Sequence, residues 1–268
     1  MGLWPGCATS QPAETKPFRF IVVNDTHYMT PECGAWLEGV VRGMKAHDAE
    51  FCLHAGDLVE KGERAHLGAT KEIFSALRIP IYTQIGNHDY LTQTDRSNYE
   101  GVYPRQLNYW FEHRGWQFVA FDSSEGLKYE KTSIQEPTIQ WLRDTLPKLD
   151  HAKPTIIFTH FPLGAGVTYR PANADAVLDL FRPFNLRGAF NGHFHGFTER
   201  EWNHAPVVTN KCCALKRGNH DKTKEKGYFV CRVQGGELTR EFVEVPVPVT
   251  SESNRASTES QLIWKSYA

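Results

Sequence analysis

The sequence predicts a single α/β domain over residues 18–247, and three features of the chain support it. Short apolar runs alternate with helical patterns from Phe18 to His195, polar residues gather where those runs end, and beyond His195 there are only short strands and turns. "FRFIVVN" (Phe18 to Asn24) reads as a buried strand, and "WLEGVVRGMKAH" places Leu37, Val40, Val41 and Met44 on one helical face. "FCLHA" is a strand, Leu67, Thr70, Phe74 and Leu77 mark a helix, and "IPIYTQI" is a third strand, so the chain opens β-α-β-α-β with parallel pairing expected. "WQFVAFDSS" adds a strand, Pro137 suits the first turn of a helix carrying Trp141, Leu142 and Leu146, and "PTIIFTH" is a further strand. A helix around Ala174 to Phe181 leads to the strand "RGAFN"; "APVVTN", "CCAL", "GYFVCRV" and "LTREFVEV" complete the set.

Composition narrows the function. Thirty Lys and Arg nearly cancel 31 Asp and Glu, so the chain lacks the global basic field of a dedicated nucleic-acid binder. No apolar run approaches the roughly 20 residues of a membrane-spanning helix. The six cysteines lack the paired short spacings of a zinc site and are too sparse to staple a scaffold, and one of Cys212 and Cys213 is expected in the core. Residues 1–17 read as a disordered tether. "GCATSQPAE" resembles the segment that begins at the lipidated cysteine of bacterial lipoproteins, but no charged or apolar leader precedes Cys7, which leaves an extracytoplasmic or a cytoplasmic location open. Residues 248–268 read as an unfolded Ser/Thr/Glu-rich tail in which Ile263 and Trp264 are the candidates for docking.

The polar clusters fall after successive strands: Asp25 and His27, then Asp57, then Asn87 and His88, then His160, then His193 and His195. Ligands of open α/β sheets bind outside the carboxyl ends of strands, so these clusters should converge. Carboxylates mixed with imidazoles suit Mn, Fe or Zn, and an all-oxygen cage for calcium or magnesium is not on offer. The donors exceed what one ion takes with an open position. Two ions sharing a carboxylate fit better, and a pair about 3.5–4 Å apart can clamp both oxygens of an in-line displacement at phosphorus.

In order, "DTH" (Asp25, His27), "GDLV" (Gly56, Asp57), "GNHD" (Gly86 to Asp89), "THFP" (His160) and "GHFH" (Gly192, His193, His195) resemble the five signature blocks of the calcineurin-like metallophosphoesterases. "WQFVAFDS" and "IQWLRDTL" resemble that family too. The resemblance implies a four-layer α-β-β-α sandwich of two mixed sheets, the second receiving the short strands after His195. It implies that Asp25, His27, Asp57 and His195 hold one ion and that Asp57, Asn87, His160 and His193 hold the other, with a hydroxide bridging the ions as nucleophile. His88 would bind the phosphate and protonate the leaving oxygen, with Asp89 orienting its ring. Gly56, Gly86 and Gly192 would let the chain bend before each ligand. His27 separates the chain from purple acid phosphatases, which lack a histidine there. The implied reaction is hydrolysis of a small phosphate ester: a phosphodiester first, cyclic nucleotides among the candidates, because "DTH" and "GNHD" resemble the cyclic-nucleotide phosphodiesterase branch. A phosphomonoesterase, or a metal-free scaffold on the same fold, are the alternatives. The oligomeric state is open.

Other residues read more plainly. Asp122 is expected in a supporting hydrogen bond, His54 as a packed strand residue, and His47, His113, His151 and His204 at the surface. Arg64 and His66, after the "GDLV" turn, either reach substrate or, as preferred here, mark a solvated helix start. Tyr28 and Tyr90 either line the pocket or pack in the core. A second "GNHD", Gly218 to Asp221, lies among Lys216, Arg217, Lys222, Lys224 and Lys226, a basic setting that opposes a cation. It is expected as a turn, or as a loop at the mouth where Asn219, His220 or Lys216 would hold an anionic substrate.

Overall fold

The computed structural model describes residues 16–248. The expected tether, but for Lys16 and Pro17, and the tail beyond Pro248 lie outside those residues, and with them Cys7, Ile263 and Trp264.

Two mixed sheets lie face to face. The first runs β11-β10-β1-β2-β3, built from β1 (Phe18–Val23), β2 (Phe51–His54), β3 (Ile81–Thr83), β10 (Gly227–Gln234) and β11 (Glu237–Glu244). In it β1, β2 and β3 are parallel, and β10 joins β1 antiparallel. The second runs β4-β5-β6-β7-β9-β8, from β4 (Tyr109–His113), β5 (Trp116–Ala120), β6 (Thr155–Phe158), β7 (Leu186–Asn191), β8 (Thr198–Trp202) and β9 (Ala205–Thr209). Its four inner strands are parallel and its two edges antiparallel. Phe20, Phe51, Phe118, Phe158, Phe190 and Phe229 fill the space between the sheets, and Phe20 stacks on Phe51 at 5.1 Å while meeting Phe118 edge-on at 5.6 Å.

Helices close both outer faces. α1 (Pro31–Met44) begins where Thr30 Oγ1 accepts from Cys33 N and Pro31 supplies a preset φ; it buries Trp36, Leu37, Val40, Val41 and Met44 on the first sheet beside Phe74 of α2 (Arg64–Ser75). A short helix, α3 (Ser97–Val102), follows β3. α4 (Glu136–Thr145) and α5 (Ala174–Asp179) bury Leu142, Val177 and Leu178 against the second sheet. The result is the expected α-β-β-α sandwich.

Four details differ from the sequence reading. The strands after His195 divide: β8 and β9 extend the second sheet, whereas β10 and β11 return to the first. β10 pairs with the edge of β1, with Tyr228 toward the helices and Phe229, Cys231 and Val233 between the sheets. "CCAL" is not a strand; Cys213 N donates to Asn24 O and Cys213 O accepts the Trp36 indole N–H, so side-chain and loop contacts replace a ladder, and both Cys212 and Cys213 are buried. β8, with the sequence TEREW, and β4 are half-exposed edges without the apolar signal of an inner strand. α3 is six residues long, too short to show a helical period.

Candidate metal centre

Each candidate donor follows a strand end: Asp25 and His27 after β1, Asp57 after β2, Asn87 after β3, His160 after β6, His193 and His195 after β7. Five of these seven have a left-handed backbone: Asp25 (φ 49°), His27 (42°), Asp57 (53°), His193 (68°) and His195 (48°). Such residues cost about 1–3 kcal/mol each and persist where the surroundings over-determine them. Here the turns hold one another, with Asp25 N donating to Gly56 O, Thr26 N to Asp57 O and Gly192 N to His160 O. Of the three glycines expected to supply bends, only Gly56 has a positive φ, at 85°. Gly86 and Gly192 are needed for space instead: a Cβ on Gly86 would collide with Asp57 Oδ1, and one on Gly192 would stand 2.8 Å from Asp25 Oδ2.

The buried donors face one another at hydrogen-bond range with atoms that are mostly acceptors. His27 Nε2 lies 3.2 Å from His195 Nε2 and 3.5 Å from Asp57 Oδ2; His195 Nε2 lies 3.3 Å from Asp25 Oδ1. Across Asp57, His160 Nε2 lies 3.3 Å from the same Oδ2 and 3.2 Å from His193 Nδ1. Among the candidate donors two nests result, Asp25/His27/Asp57/His195 and Asp57/His160/His193, each with its donor atoms within 4.8 Å of one another, and His27 also belongs to a third such group with Glu60 and His88. Donors about 2.1 Å from one cation and at right angles stand about 3 Å apart, so these spacings match a coordination shell. Asp57 Oδ2 faces both nests while Oδ1 accepts from His88 N. Asn87 Oδ1 is buried and accepts no hydrogen bond, a cost that a ligand would remove.

Backbone carbonyls fix the rings. A carbonyl only accepts, so His160 Nδ1–H donates to Ala55 O (2.9 Å), His195 Nδ1–H to Gly218 O (3.2 Å) and His193 Nε2–H to Tyr129 O (2.7 Å), which turns the other nitrogen of each ring toward the nests. His27 Nδ1 instead lies 3.2 Å from Glu60 Oε2. The nests call for positive charge. Burial opposes protonation of His160, yet Asp57 beside it pushes its pKa up to about 9, and Asp25 likewise raises His195 well above the ordinary range. Burial, with the His160 charge, takes His193 down to about 3.

A cavity of about 630 Å³ opens onto Asp57, Asn87, His193 and His195, with His88 in its wall. His88 Nδ1–H donates to Glu60 O at 2.9 Å, so this carbonyl, and not Asp89, orients the ring. Asp89 is buried and points away, its oxygens accepting from Gly86 N (2.8 Å) and Val59 N (3.1 Å), which makes it a clamp on the turn. Tyr90 lines the cavity and donates its hydroxyl to Asp122, which also meets Arg96 and supports the wall as expected. Tyr28 does not line the cavity; it packs between the two helix-side clusters against Gly34 and His66. His54 is a packed residue, its Nε2 3.0 Å from Thr26 Oγ1 and its ring against Phe74.

The second "GNHD" borders the site without joining either nest. Gly218 O accepts from His195 Nδ1, His220 N donates to His195 O, and the His220 ring lines the cavity. Asn219 turns inward instead, accepting from Cys212 N and donating to Glu225 O, and Lys216 pairs with Glu32. Sequence reasoning missed Glu60 and Arg217, which pair with each other at the mouth, and Leu91, Leu127, Tyr129 and Tyr169 of the wall. Glu60 stands three residues after Asp57 in "GDLVE", a spacing that hinted at nearness; for the others the chain carries no local signal.

An aspartate shared by two donor nests, at the carboxyl edge of a two-sheet sandwich, has the architecture of a dinuclear-metal phosphoric ester hydrolase. Residues 18–197 match the family model described as calcineurin-like phosphoesterase, and the chain belongs to that family. Its fold is similar to that of a dimetal phosphatase from Danio rerio (14% identity, TM-score 0.66, covering 87% of this chain and 99% of that one). It is also similar to GAP50, the anchor in the inner membrane complex of Plasmodium (18%, 0.61, 85% and 84%), and to a purple acid phosphatase from yellow lupin seeds (12%, 0.60, 87% and 52%). At these identities the likeness is one of fold. No curated protein sequence matches the chain. Among the described residues no helix is long and apolar enough to cross a membrane.

Proposed function

We propose that the protein hydrolyses phosphodiesters at a dinuclear centre, cyclic nucleotides being one candidate substrate. The observation that carries this reading is Asp57 Oδ2, approached from one side by His27 and from the other by His160. Asp25, His27, Asp57 and His195 would hold one ion, and Asp57, Asn87, His160 and His193 the other, with Mn, Fe or Zn suited to the mixed oxygen and nitrogen set. Bound there, two cations supply charge to neutralise phosphoryl oxygens and to activate water. The chain's own residues do the rest. With Nδ1–H committed to Glu60 O, His88 turns Nε2 toward the cavity, and the doubly protonated ring would pass its Nε2 proton to the departing oxygen, leaving a neutral ring that keeps its proton on Nδ1. A diester is favoured because the blocks at Asp25 to His27 and Gly86 to Asp89 resemble the cyclic-nucleotide phosphodiesterase branch, and a cavity of about 630 Å³ admits a nucleotide-sized molecule.

Elemental analysis of Mn²⁺-loaded protein, run beside hydrolysis of bis-p-nitrophenyl phosphate and p-nitrophenyl phosphate, tests this. Two metal equivalents and faster turnover of the diester are expected. Faster turnover of the monoester would make the protein a phosphomonoesterase, and no metal with no turnover would make it a scaffold.

A further inference from the structure

We propose that the mouth of the cavity selects phosphate esters bearing a flat apolar group, an aryl or nucleobase ring, which lies on a shelf of Leu91, Leu127 and Tyr129. The proposal rests on the phosphoesterase reading for the anchoring of the phosphate and adds what holds the rest of the molecule. Six large hydrophobic side chains are exposed among the described residues: Leu91, Trp110, Leu127, Tyr129, Phe197 and Val247. Single exposed apolar side chains are ordinary, but three of these six, 44%, 45% and 58% exposed, line this one cavity.

Hydrogen bonds fix the backbone that carries the shelf. Gln93 ties its two segments together, Nε2 donating to Glu125 O (2.9 Å) and Oε1 accepting from Leu127 N (3.2 Å), and Leu91 N donates to Asp95 O (2.8 Å). Tyr129 is pinned from below because its carbonyl accepts from His193 Nε2, which places the shelf directly beside one donor nest. Tyr169 continues it, its ring 6.3 Å from Tyr129 and 5.3 Å from His193. Loops whose backbone is already fixed spend less binding energy on ordering. The charged residues at the mouth do not compete for the role. Arg217 is paired with Glu60, and Lys61 is offset by Glu63, so the rim adds two charges of each sign and no surplus cation to draw a second anionic group.

Phenylphosphonate and methylphosphonate carry the same anionic head and differ in the ring. Calorimetric titration of Mn²⁺-loaded protein, at a pH where both are dianions, is expected to show the phenyl compound binding about tenfold tighter. In a Leu127→Ser/Tyr129→Ala variant, whose replaced side chains are exposed and whose residue 129 keeps its carbonyl, that advantage should shrink to within about twofold. It should also survive 0.5 M NaCl, since apolar contact is not screened. Equal affinities in the wild type, an advantage retained by the variant, one that collapses with salt, or no binding of either phosphonate would overturn the proposal. Metal content and turnover of bis-p-nitrophenyl phosphate, read on the same samples, keep it separable from the hydrolase reading. Ring preference in a metal-loaded protein that turns over no ester would sink only the latter.

Discussion

His88 and Asp89 are neighbours in one motif with different physical work. Asp89 is shut in and binds two backbone amides, whereas His88 is part-exposed with one nitrogen committed to Glu60 O. Removing the His88 side chain should therefore leave the nests intact and remove a proton donor. For His88→Ala we expect two metal equivalents retained and turnover of bis-p-nitrophenyl phosphate reduced about 10²- to 10⁴-fold, the range that a positioned general acid contributes. Lost metal would move His88 among the ligands, and unchanged turnover would remove it from the reaction. At this scale the sequence was informative about chemical type and silent about direction. Asp25, Asp57, His160, His193 and His195 were legible because each is a metal-ligand type of residue following an apolar run. That Asp89 and Asn219 point away from the cavity depends on which amides lie nearby after folding, and adjacency in sequence does not encode it.

Among the elements, the inner strands were legible, as were the edges β3 and β11 of the first sheet, whereas the edges β4 and β8 of the second were not. β1, β2, β5 and β6 are buried on nearly every residue and so read as continuous apolar runs, while β4 and β8 meet water on alternate or most positions and read as loops. Which sheet receives β10 was likewise invisible, because the pairing is decided by an edge more than 200 residues away in the chain. The core between the sheets makes a quantitative expectation possible. Phe20 is fully buried and touches rings from both sheets, so Phe20→Ala should lower the unfolding free energy by about 3–5 kcal/mol in urea titration. A loss below about 1 kcal/mol would mean that the sheets are less closely packed than their ring distances imply.

At the scale of the molecule, the donors come from five separate connections, so any ion bound among them ties together both sheets. Folding and metal uptake should be linked accordingly. With each ion at about 100 times its dissociation constant, the native state gains about 2.7 kcal/mol per ion, and chelation should lower Tm by about 10 °C. Calorimetric scans with and without chelator check this; coincident scans would mean that the nests take up no cation. The convergence of the five clusters was readable from strand ends alone, but the mouth was not. Leu91, Leu127, Tyr129 and Arg217 come from loops whose meeting no local pattern announces.

The four carbonyls that aim His88, His160, His193 and His195 belong to Glu60, Ala55, Tyr129 and Gly218. Every amino acid carries such a carbonyl, so mutation at these positions can alter a side chain without deleting the acceptor. Tyr129 combines both functions in one residue, its main chain holding a ligand and its ring facing the cavity mouth. Descendants of this chain could therefore drift in what they recognise while inheriting the same reactive floor, and a library randomised at Leu91, Leu127 and Tyr129 is a natural starting point for redirecting it.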